Sequence, residues 1–195
     1  MFLVVGLGNP GERYADTRHN LGYMVAEAFA RKHGASFKRG WRVRGRLALF
    51  SYVGKKVVVL LPTTYMNLSG EAVRGLVRVY HAELSHLMVV VDEVYLQFGQ
   101  VRVRSGGGAA GHNGMRSVEE ALQTQEYPRL RMGIGPRPDG LVQSLEDFVL
   151  DCFNEEERAL LDQCVDRGVV LLEKWLDEGI DGAIRAAGMY RPLIG

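Results

Sequence analysis

Cysteine is scarce in this 195-residue sequence, and long apolar runs are missing from it. Its two cysteines, Cys152 and Cys164, stand 12 positions apart in a segment with helical spacing and form no C-x-x-C pair. Neither a zinc site nor a disulfide framework is indicated, and the thiols fit a reducing cytoplasm. No apolar stretch reaches the length of a membrane span, and the N-terminal run lacks the basic lead-in of a signal peptide.

Motifs of nucleophilic or metal-assisted catalysis are also missing. The sequence contains no G-x-S-x-G segment, which would present a serine nucleophile. His81 and His86 match no common metal-ligand spacing. Internal repeats and low-complexity tracts are absent, and a chain of this length that is 47% hydrophobic has room for one substantial core. We therefore expect a single soluble domain that spans residues 1–195.

Charge is unevenly distributed along the chain, although the net charge is only +1. Residues 1–140 contain 19 Lys and Arg against 11 Asp and Glu, a net charge of +8, whereas residues 141–195 contain 5 against 12, a net charge of −7. This asymmetry favours a basic face directed at a polyanion, with an acidic helical end kept away from it. Two solvated faces of opposite sign are the alternative on charge alone.

A glycine-rich turn follows the first apolar run of the chain. Residues 2–5 are β-branched or apolar and uncharged, which predicts a buried strand, and the next glycines match the pattern G-x-G-x-x-G: Gly6, Gly8 and Gly11. A dinucleotide site would need a helix at the last glycine and an acidic residue about 20 positions on, at the end of a second strand. Helical spacing begins only near Asn20, and Glu27 falls inside that helix. We therefore discard a dinucleotide site.

Two polar side chains, Asn9 and His19, lie in the loop after this first strand. Open α/β sheets bind ligands at that end of their strands. Apolar residues recur at helical spacing over positions 21–29, and Thr17 or Asn20 fits the cap of that helix. His19 thus stands at a helix N-terminus, where the helix dipole disfavours the imidazolium and favours a neutral ring that accepts a proton. A capping or surface histidine is the alternative.

Two further buried strands, residues 57–61 and 87–91, are each followed by a polar side chain. Asn67 comes after the first and also fits the cap of the next helix, and Asp92 ends the second. Because helices connect these strands, all three should lie parallel, with their carboxyl ends at one edge of the sheet. Five polar residues are therefore expected to share one rim: Asn9, His19, Asn67, Asp92 and Asn113.

Arginines alternate with apolar residues in three segments: residues 38–46, 101–104 and 129–131. This spacing predicts strands with one basic face, which suits either a phosphate track or a sheet edge protected from aggregation. A glycine run, residues 105–111, would let backbone amides approach a phosphate or a carbonyl, or would form a mobile lid. Asn113 fits the cap of the helix that follows.

The C-terminal part of the chain is predicted to be helical. A Pro- and Gly-rich loop is expected after residue 135, to about residue 140. Asn154 fits a helix cap, the acidic residues after it suit the helix dipole, and apolar residues as far as Leu176 form a stripe that faces the core. Gly179 should interrupt this helix before a last short one.

The rim residues suggest a hydrolytic chemistry. Asp92 paired with His19 would orient the imidazole and favour uptake of a proton from water by its free nitrogen. Asparagine amides donate and accept hydrogen bonds, which suits a peptide or ester carbonyl. The residues by themselves therefore favour a water-using hydrolase with a polyanion-binding flank.

Four motifs, in the same order along the chain, resemble those of the bacterial peptidyl-tRNA hydrolase family. They are Gly6-Leu7-Gly8-Asn9-Pro10-Gly11 with Thr17-Arg18-His19-Asn20, Thr64-Tyr65-Met66-Asn67-Leu68-Ser69-Gly70, Asp92-Glu93, and Gly111-His112-Asn113-Gly114. The resemblance implies an α/β fold with a twisted, mostly parallel mixed sheet, flanking helices and a helical C-terminal end. It also implies a monomer without cofactor, metal, membrane or obligate protein partner.

The same resemblance implies cleavage of the ester that joins a peptide to the terminal ribose of tRNA, with peptidyl-tRNA as the substrate. His19 would activate water, Asp92 would hold His19, and Asn9 would contact the scissile ester. The peptide backbone would be read by four cleft residues: Met66, Asn67, His112 and Asn113. The terminal adenosine would lie near Tyr14, and a tRNA phosphate would be clamped by two basic residues: Arg104 and Arg131.

Two other classes of function stay open. A non-catalytic RNA-binding relative would keep the arginine rows and would not need His19 together with Asp92. A nucleoside-processing enzyme would build a phosphate or sugar site on the glycine loops. The sequence departs from the family pattern at Leu61 and at residues 95–97 and 109–110, none of which is a proposed catalytic group.

Overall fold

Seven strands form one mixed sheet in the computed structural model, which describes residues 1–135 and 144–194. In chain order they are Phe2–Gly6 (β1), Lys38–Arg39 (β2), Gly45–Tyr52 (β3), Lys55–Pro62 (β4), Leu87–Gln97 (β5), Val101–Arg104 (β6) and Arg129–Gly135 (β7). The order across the sheet is β2-β3-β4-β1-β5-β7-β6. The four central strands are parallel and the outer ones antiparallel, which confirms the predicted mostly parallel mixed sheet.

Helices cover both faces of this sheet because its central strands are apolar on both sides. The helices are Leu21–Lys32 (α1), Ser69–Tyr80 (α2), Asn113–Leu122 (α3), Leu145–Leu150 (α4), Glu155–Ala159 (α5) and Leu161–Ala187 (α6). α1 and α6 pack on one face and α2 and α3 on the other, which gives two buried apolar clusters. Within the described residues, no helix is long and apolar enough to cross a bilayer.

The C-terminal helical signals are confirmed. Asn154 accepts a hydrogen bond from the Glu157 N–H at 2.8 Å, and the Glu157 carboxylate accepts one from the Asn154 N–H at 2.8 Å, so the two form a capping box for α5. Gly179 breaks α6 with a φ of 72°. The loop expected as far as residue 140 lies outside the described residues.

Three capping predictions are wrong. Neither Thr17 nor Asn20 caps α1, because the Thr17 hydroxyl donates to the Tyr14 carbonyl and the Asn20 side chain bonds the backbone of Asn9. Asn67 lies inside a 3₁₀ turn, Met66–Leu68, and makes no cap for α2. α3 is capped by His112 rather than Asn113.

The arginine-rich segments also differ from the predicted strands. Residues 38–46 do not form one strand, because β2 covers only Lys38 and Arg39 and β3 begins at Gly45. Arg129 is 2% exposed and donates hydrogen bonds to the carbonyls of Gly107 and Gln125, so it holds the glycine run from below instead of extending a basic edge. Arg102 and Arg104 share the exposed face of β6, as predicted.

β5 is longer than the sequence pattern indicates. It pairs with β1 as far as Val90, continues beside β7 through Asp92 and Glu93, and ends at Gln97. Asp92 is therefore not at the end of the strand. Asp92 lies beyond the last residue of β5 that pairs with β1, so its side chain reaches the space left at the end of β1. It is buried there, at 3% exposure.

Candidate active site

A cleft of about 490 Å³ opens at the carboxyl ends of β1 and β4, beside residues 92–94 of β5. Eight of the ten residues predicted for the site line it: Asn9, Tyr14, His19, Met66, Asn67, Asp92, His112 and Asn113. The predicted convergence of polar side chains on one rim is therefore confirmed. Arg104 and Arg131 do not line this cleft.

His19 and Asp92 are in direct contact, although 73 residues separate them in the chain. The His19 Nδ1 atom lies 3.0 Å from one carboxylate oxygen of Asp92 and 3.1 Å from the other. An ionised carboxylate can only accept, so Nδ1 carries the proton and donates it. The neutral ring therefore has its lone pair on Nε2, which leaves a nitrogen that can accept a proton.

Asp92 also holds a second histidine. The Nε2 atom of His112 lies 3.0 Å from Asp92 Oδ1, and its Nδ1 accepts hydrogen bonds from the N–H groups of Gly114 at 3.1 Å and Met115 at 3.2 Å. Because Nδ1 accepts, the ring proton is on Nε2 and is donated to Asp92. His112 thus joins the N-terminus of α3 to the carboxylate that orients His19.

The donor atoms of His19, Asp92 and His112 lie within 4.8 Å of one another, as the ligands of a metal ion could. A metal would need the lone pair of His112 Nε2. That nitrogen carries the ring proton, because Nδ1 is engaged by the helix N–H groups. The donor set therefore fits a hydrogen-bonded relay through Asp92 better than a metal centre.

Asn9 is fixed so that its amide NH₂ group is available to the cleft. Asn20 grips the Asn9 backbone at two points, accepting from its N–H at 2.7 Å and donating to its carbonyl at 3.0 Å. The Asn9 Oδ1 atom accepts from the Met66 N–H at 2.8 Å. With its oxygen engaged and its side chain buried at 7% exposure, Asn9 presents a hydrogen-bond donor beside His19.

The ionisation of the His19 and Asp92 pair is set by burial and by charge. Burial lowers the pKa of His19, but the negative charges of Asp92 and Glu146 and the hydrogen bond to Asp92 outweigh it and raise that pKa above the usual 6.5. Burial raises the pKa of Asp92, whereas His19 and His112 lower it, and the net direction is downward. The expectation from the helix dipole alone, that the imidazolium is disfavoured, is therefore wrong.

The outer cleft is formed by more exposed side chains. Asn67 and Asn113 are exposed and line the cleft, from the β4–α2 connection and the start of α3. Met66 is 4% exposed and packs in the cleft floor beside Asn9. Tyr14 is half-buried, and the Arg13 guanidinium lies 4.4 Å from the centre of its ring.

The two basic residues predicted to hold a phosphate differ in their surroundings. Arg104 is exposed on β6 and forms no ion pair with the part of the chain that is described. Arg131, on β7, is paired with Glu93 and its side chain is only 22% exposed. Arg104 therefore offers an unneutralised charge, whereas Arg131 would have to exchange one carboxylate for a phosphate.

One wall of the cleft was not among the residues predicted from sequence. α4 contributes four lining residues: Leu145, Glu146, Val149 and Leu150. A signal for this helix is present, because Ser144 precedes an acidic first turn and its Oγ accepts from the Asp147 N–H at 3.1 Å. The pattern is short, and the helical segment predicted from sequence begins only at Asn154.

Comparison with known proteins gives full-length matches. Residues 3–191 match the family described as Peptidyl-tRNA hydrolase. A peptidyl-tRNA hydrolase of Chloroflexus aggregans is 43% identical over 194 residues, 99% of this chain and 100% of the relative. One of Syntrophomonas wolfei is 40% identical over 186 residues, 95% of this chain and 99% of the relative.

The fold agrees with a solved structure. The crystal structure of peptidyl-tRNA hydrolase from Acinetobacter baumannii superposes with a TM-score of 0.91 at 33% identity, covering 98% of this chain and 96% of the other. The match spans the strands that carry the cleft. From the sequence match, the shared fold and a cleft in which the four motifs meet, we conclude that this chain belongs to the peptidyl-tRNA hydrolase family.

Proposed function

We propose that this protein hydrolyses the ester between a peptide and the 3′-terminal ribose of tRNA, with His19 as the base that activates water. The observation that carries the proposal is the contact of His19 Nδ1 with buried Asp92. Among the described residues nothing bonds Nε2, and the cleft also presents the Asn9 amide. Family membership supports the hydrolase activity. The resulting reaction frees tRNA for reuse in translation.

The chemical steps follow from the fixed groups. His19 Nε2 removes a proton from a water molecule as the water oxygen attacks the ester carbonyl, and Asp92 stabilises the imidazolium that forms. The developing oxyanion accepts a hydrogen bond from the Asn9 NH₂ group. Collapse of the tetrahedral intermediate breaks the bond to the ribose oxygen, which receives the proton from His19. The peptide leaves as a carboxylic acid, which loses its remaining proton to solvent.

Substrate selection is assigned to the outer cleft. The amides of Asn67 and Asn113, together with Met66 and His112, bind the peptide backbone next to the ester and favour N-blocked over free aminoacyl esters. Tyr14 lies at the cleft wall, where the terminal adenosine would stack. Arg104 and Arg131 contact a tRNA phosphate on the β6–β7 side of the cleft.

The proposal includes a monomeric enzyme of one domain that works in the cytoplasm. The residues proposed for catalysis lie in one cleft at the edge of a single sheet. Both cysteines are free thiols, which suits a reducing compartment.

A matched pair of histidine variants tests the catalytic assignment. His19→Asn keeps a donor for Asp92 but has no basic nitrogen, so kcat on N-acetylaminoacyl-tRNA should fall by about 10²- to 10⁴-fold. His81→Asn is the control, because His81 is exposed at a left-handed position that asparagine tolerates. Release of labelled N-acetyl amino acid from tRNA gives the rate.

The alternatives predict different results. A non-catalytic RNA-binding relative would bind N-acetylaminoacyl-tRNA without releasing the acyl group, even as wild type. A nucleoside-processing enzyme would turn over free nucleosides. Wild-type kcat in folded His19→Asn would refute the role of His19.

A further inference from the structure

Arg18, the residue before the proposed base, is buried together with the only acidic side chain it contacts among the described residues. Arg18 is 6% exposed and Glu157 is 7% exposed. The Arg18 Nη2 atom lies 2.6 Å from Glu157 Oε2, and its Nε lies 3.4 Å from Oε1. Because α5 begins at Glu155, this pair joins the 3₁₀ turn Arg18–Asn20 to the first turn of a helix more than a hundred residues away.

The contacts of Arg18 extend to the α4 wall of the cleft. Its Nη1 donates to the Phe148 carbonyl at 3.4 Å, and its guanidinium lies 4.5 Å from the centre of the Phe148 ring. The Arg18 N–H donates to the Asp151 carbonyl at 3.0 Å, and Thr17 forms a β-bridge with Cys152. The turn that carries His19 is thus held by side chain and backbone to residues 148–157.

Stability alone is a weak reason for such a pair. Removing two charges from water costs free energy that their attraction often fails to recover, and apolar replacements of buried pairs are frequently neutral or stabilising. The two groups do have a geometric effect, because a planar guanidinium and a carboxylate meet in one orientation. His19 is adjacent to Arg18 in the chain, so its orientation depends on the orientation of this ion pair.

We infer that Arg18 is a positioning residue, whose ion pair with Glu157 fixes the His19 turn and the α4 wall in one arrangement. The inference rests on the proposed role of His19 as the base. A residue displaced by about 1 Å can cost about 10²-fold in rate. Three groups face the His19 ring or lie near it from the elements packed around it: Asp92 on β5, His112 before α3 and Glu146 on α4. Loosening the turn would weaken the contact with Asp92.

A double variant, Arg18→Met with Glu157→Gln, tests the inference. It removes both charges, keeps the arginine stem as an apolar chain over Phe148, and keeps a glutamine that can complete the capping box. We expect a folded protein whose kcat is about ten- to a hundredfold lower with little change in KM. The acid limb of the kcat/KM profile should also move to lower pH, because the contact with Asp92 that raises the pKa of His19 is weakened.

Two further variants keep the test decisive. Lys174→Met with Glu178→Gln removes an exposed ion pair of α6 and should leave both measurements at wild-type values. Arg18→Lys keeps the charge without the planar fork, and we expect a smaller loss in kcat and a shift in the same direction.

The outcomes separate this inference from the proposed function. A folded double variant, or a folded Arg18→Lys, with wild-type kcat and an unmoved acid limb would overturn the positioning role. A merely structural role would lower the fraction of folded protein without moving the limb, and would overturn it too. If His19→Asn is fully active, the proposed function itself fails.

Discussion

At the scale of single residues, His19 combines two properties that oppose each other. Asp92 orients the ring for proton uptake, and the same carboxylate raises the pKa, so that more of the base is already protonated near neutral pH. Only the neutral ring accepts a proton from water. The rate should therefore rise with pH as His19 loses its proton, with a midpoint above 6.5.

Asp92→Asn should move this limb to lower pH. The variant removes the negative charge that raises the pKa of His19 and leaves the burial that lowers it, so the folded ring deprotonates at lower pH. We also expect kcat to fall by about 10²-fold or more, because the asparagine can hold the wrong ring tautomer. The profile of kcat/KM against pH is the measurement.

Glu146→Gln provides the graded control for that experiment. Glu146 is exposed on α4, and its charge raises the pKa of His19 less than Asp92 does. We expect a smaller shift in the same direction, with kcat largely kept. An acid limb that stays in place in Asp92→Asn would contradict the electrostatic account.

The sequence predicted the rim residues correctly but not the helix caps, because a cap depends on contacts with distant parts of the chain. Asn9 and Asp92 could be assigned to the rim because buried strands, which are readable from composition, precede them. The cap of α3 was assigned to Asn113 because asparagine is a preferred cap, whereas the cap is His112, whose ring also contacts Asp92, a residue far away in the sequence. Asn20 fits a cap by residue type, but its side-chain amide bonds the backbone of Asn9, a contact that the sequence pattern does not indicate.

At the scale of secondary structure elements, the packing of α2 on α3 positions both sides of the outer cleft. Gly70 is in the first turn of α2, and a Cβ built there would collide with the backbone carbonyl of Ser117 on α3. Gly75 lies about one and a half turns further along α2. A Cβ placed there would have the carbonyl oxygen of Arg42 as its nearest neighbour, at 3.7 Å. The two glycines of one helix therefore face different constraints.

Alanine substitutions at these two glycines should have opposite effects. Gly70→Ala should destabilise the protein by about 1–3 kcal/mol, because α2 and α3 must separate. Gly75→Ala should stabilise it by up to about 1 kcal/mol, because alanine has the higher helix propensity and there is room for its methyl group. Urea unfolding gives both values, and a neutral Gly70→Ala would show that the helices can adjust.

Helices and strands were predictable where one period dominated. β1, residues 57–61 of β4 and the first half of β5 are continuous apolar runs, and α2 and α6 show a clear helical stripe. The short α4 and the far half of β5 carry no long period, and β5 extends because β7 continues to pair with it. Such elements are defined by neighbours, which the sequence does not display.

At the scale of the whole molecule, the basic part of the chain is not uniformly available to a polyanion. Arg129 is buried under the glycine run and Arg131 is paired with Glu93, so β7 presents little free charge. Arg104 and Arg102 stand exposed on the neighbouring edge strand, β6. At the β6–β7 edge of the sheet, the positive charge that is available to a polyanion therefore comes from Arg102 and Arg104.

Salt dependence should distinguish these arginines. Arg104→Ala should weaken tRNA binding and reduce the slope of log K against log salt by about 1, as for one lost phosphate contact. Arg131→Ala should reduce the slope less, because Glu93 already neutralises that side chain. Small N-blocked esters should be cleaved at nearly unchanged rates by both variants.

Arg78→Ala serves as the matched control for that measurement. Arg78 is exposed in the last turn of α2, at the far end of the helix from the cleft. Its removal should leave the slope unchanged if the phosphate contacts are local. Equal reductions in all three variants would indicate a diffuse field and no defined contact.

Because β5 extends past Asp92, the direction of the Asp92 side chain depends on how β5 pairs with β7. Side chains alternate across a sheet, so deleting one residue upstream in β5 and re-pairing the strand would turn position 92 toward the opposite layer of helices. Protein engineers who shorten or graft this sheet should therefore treat β5 as indivisible up to Glu93, and confine length changes to connections such as Val53-Gly54, which stand clear of it.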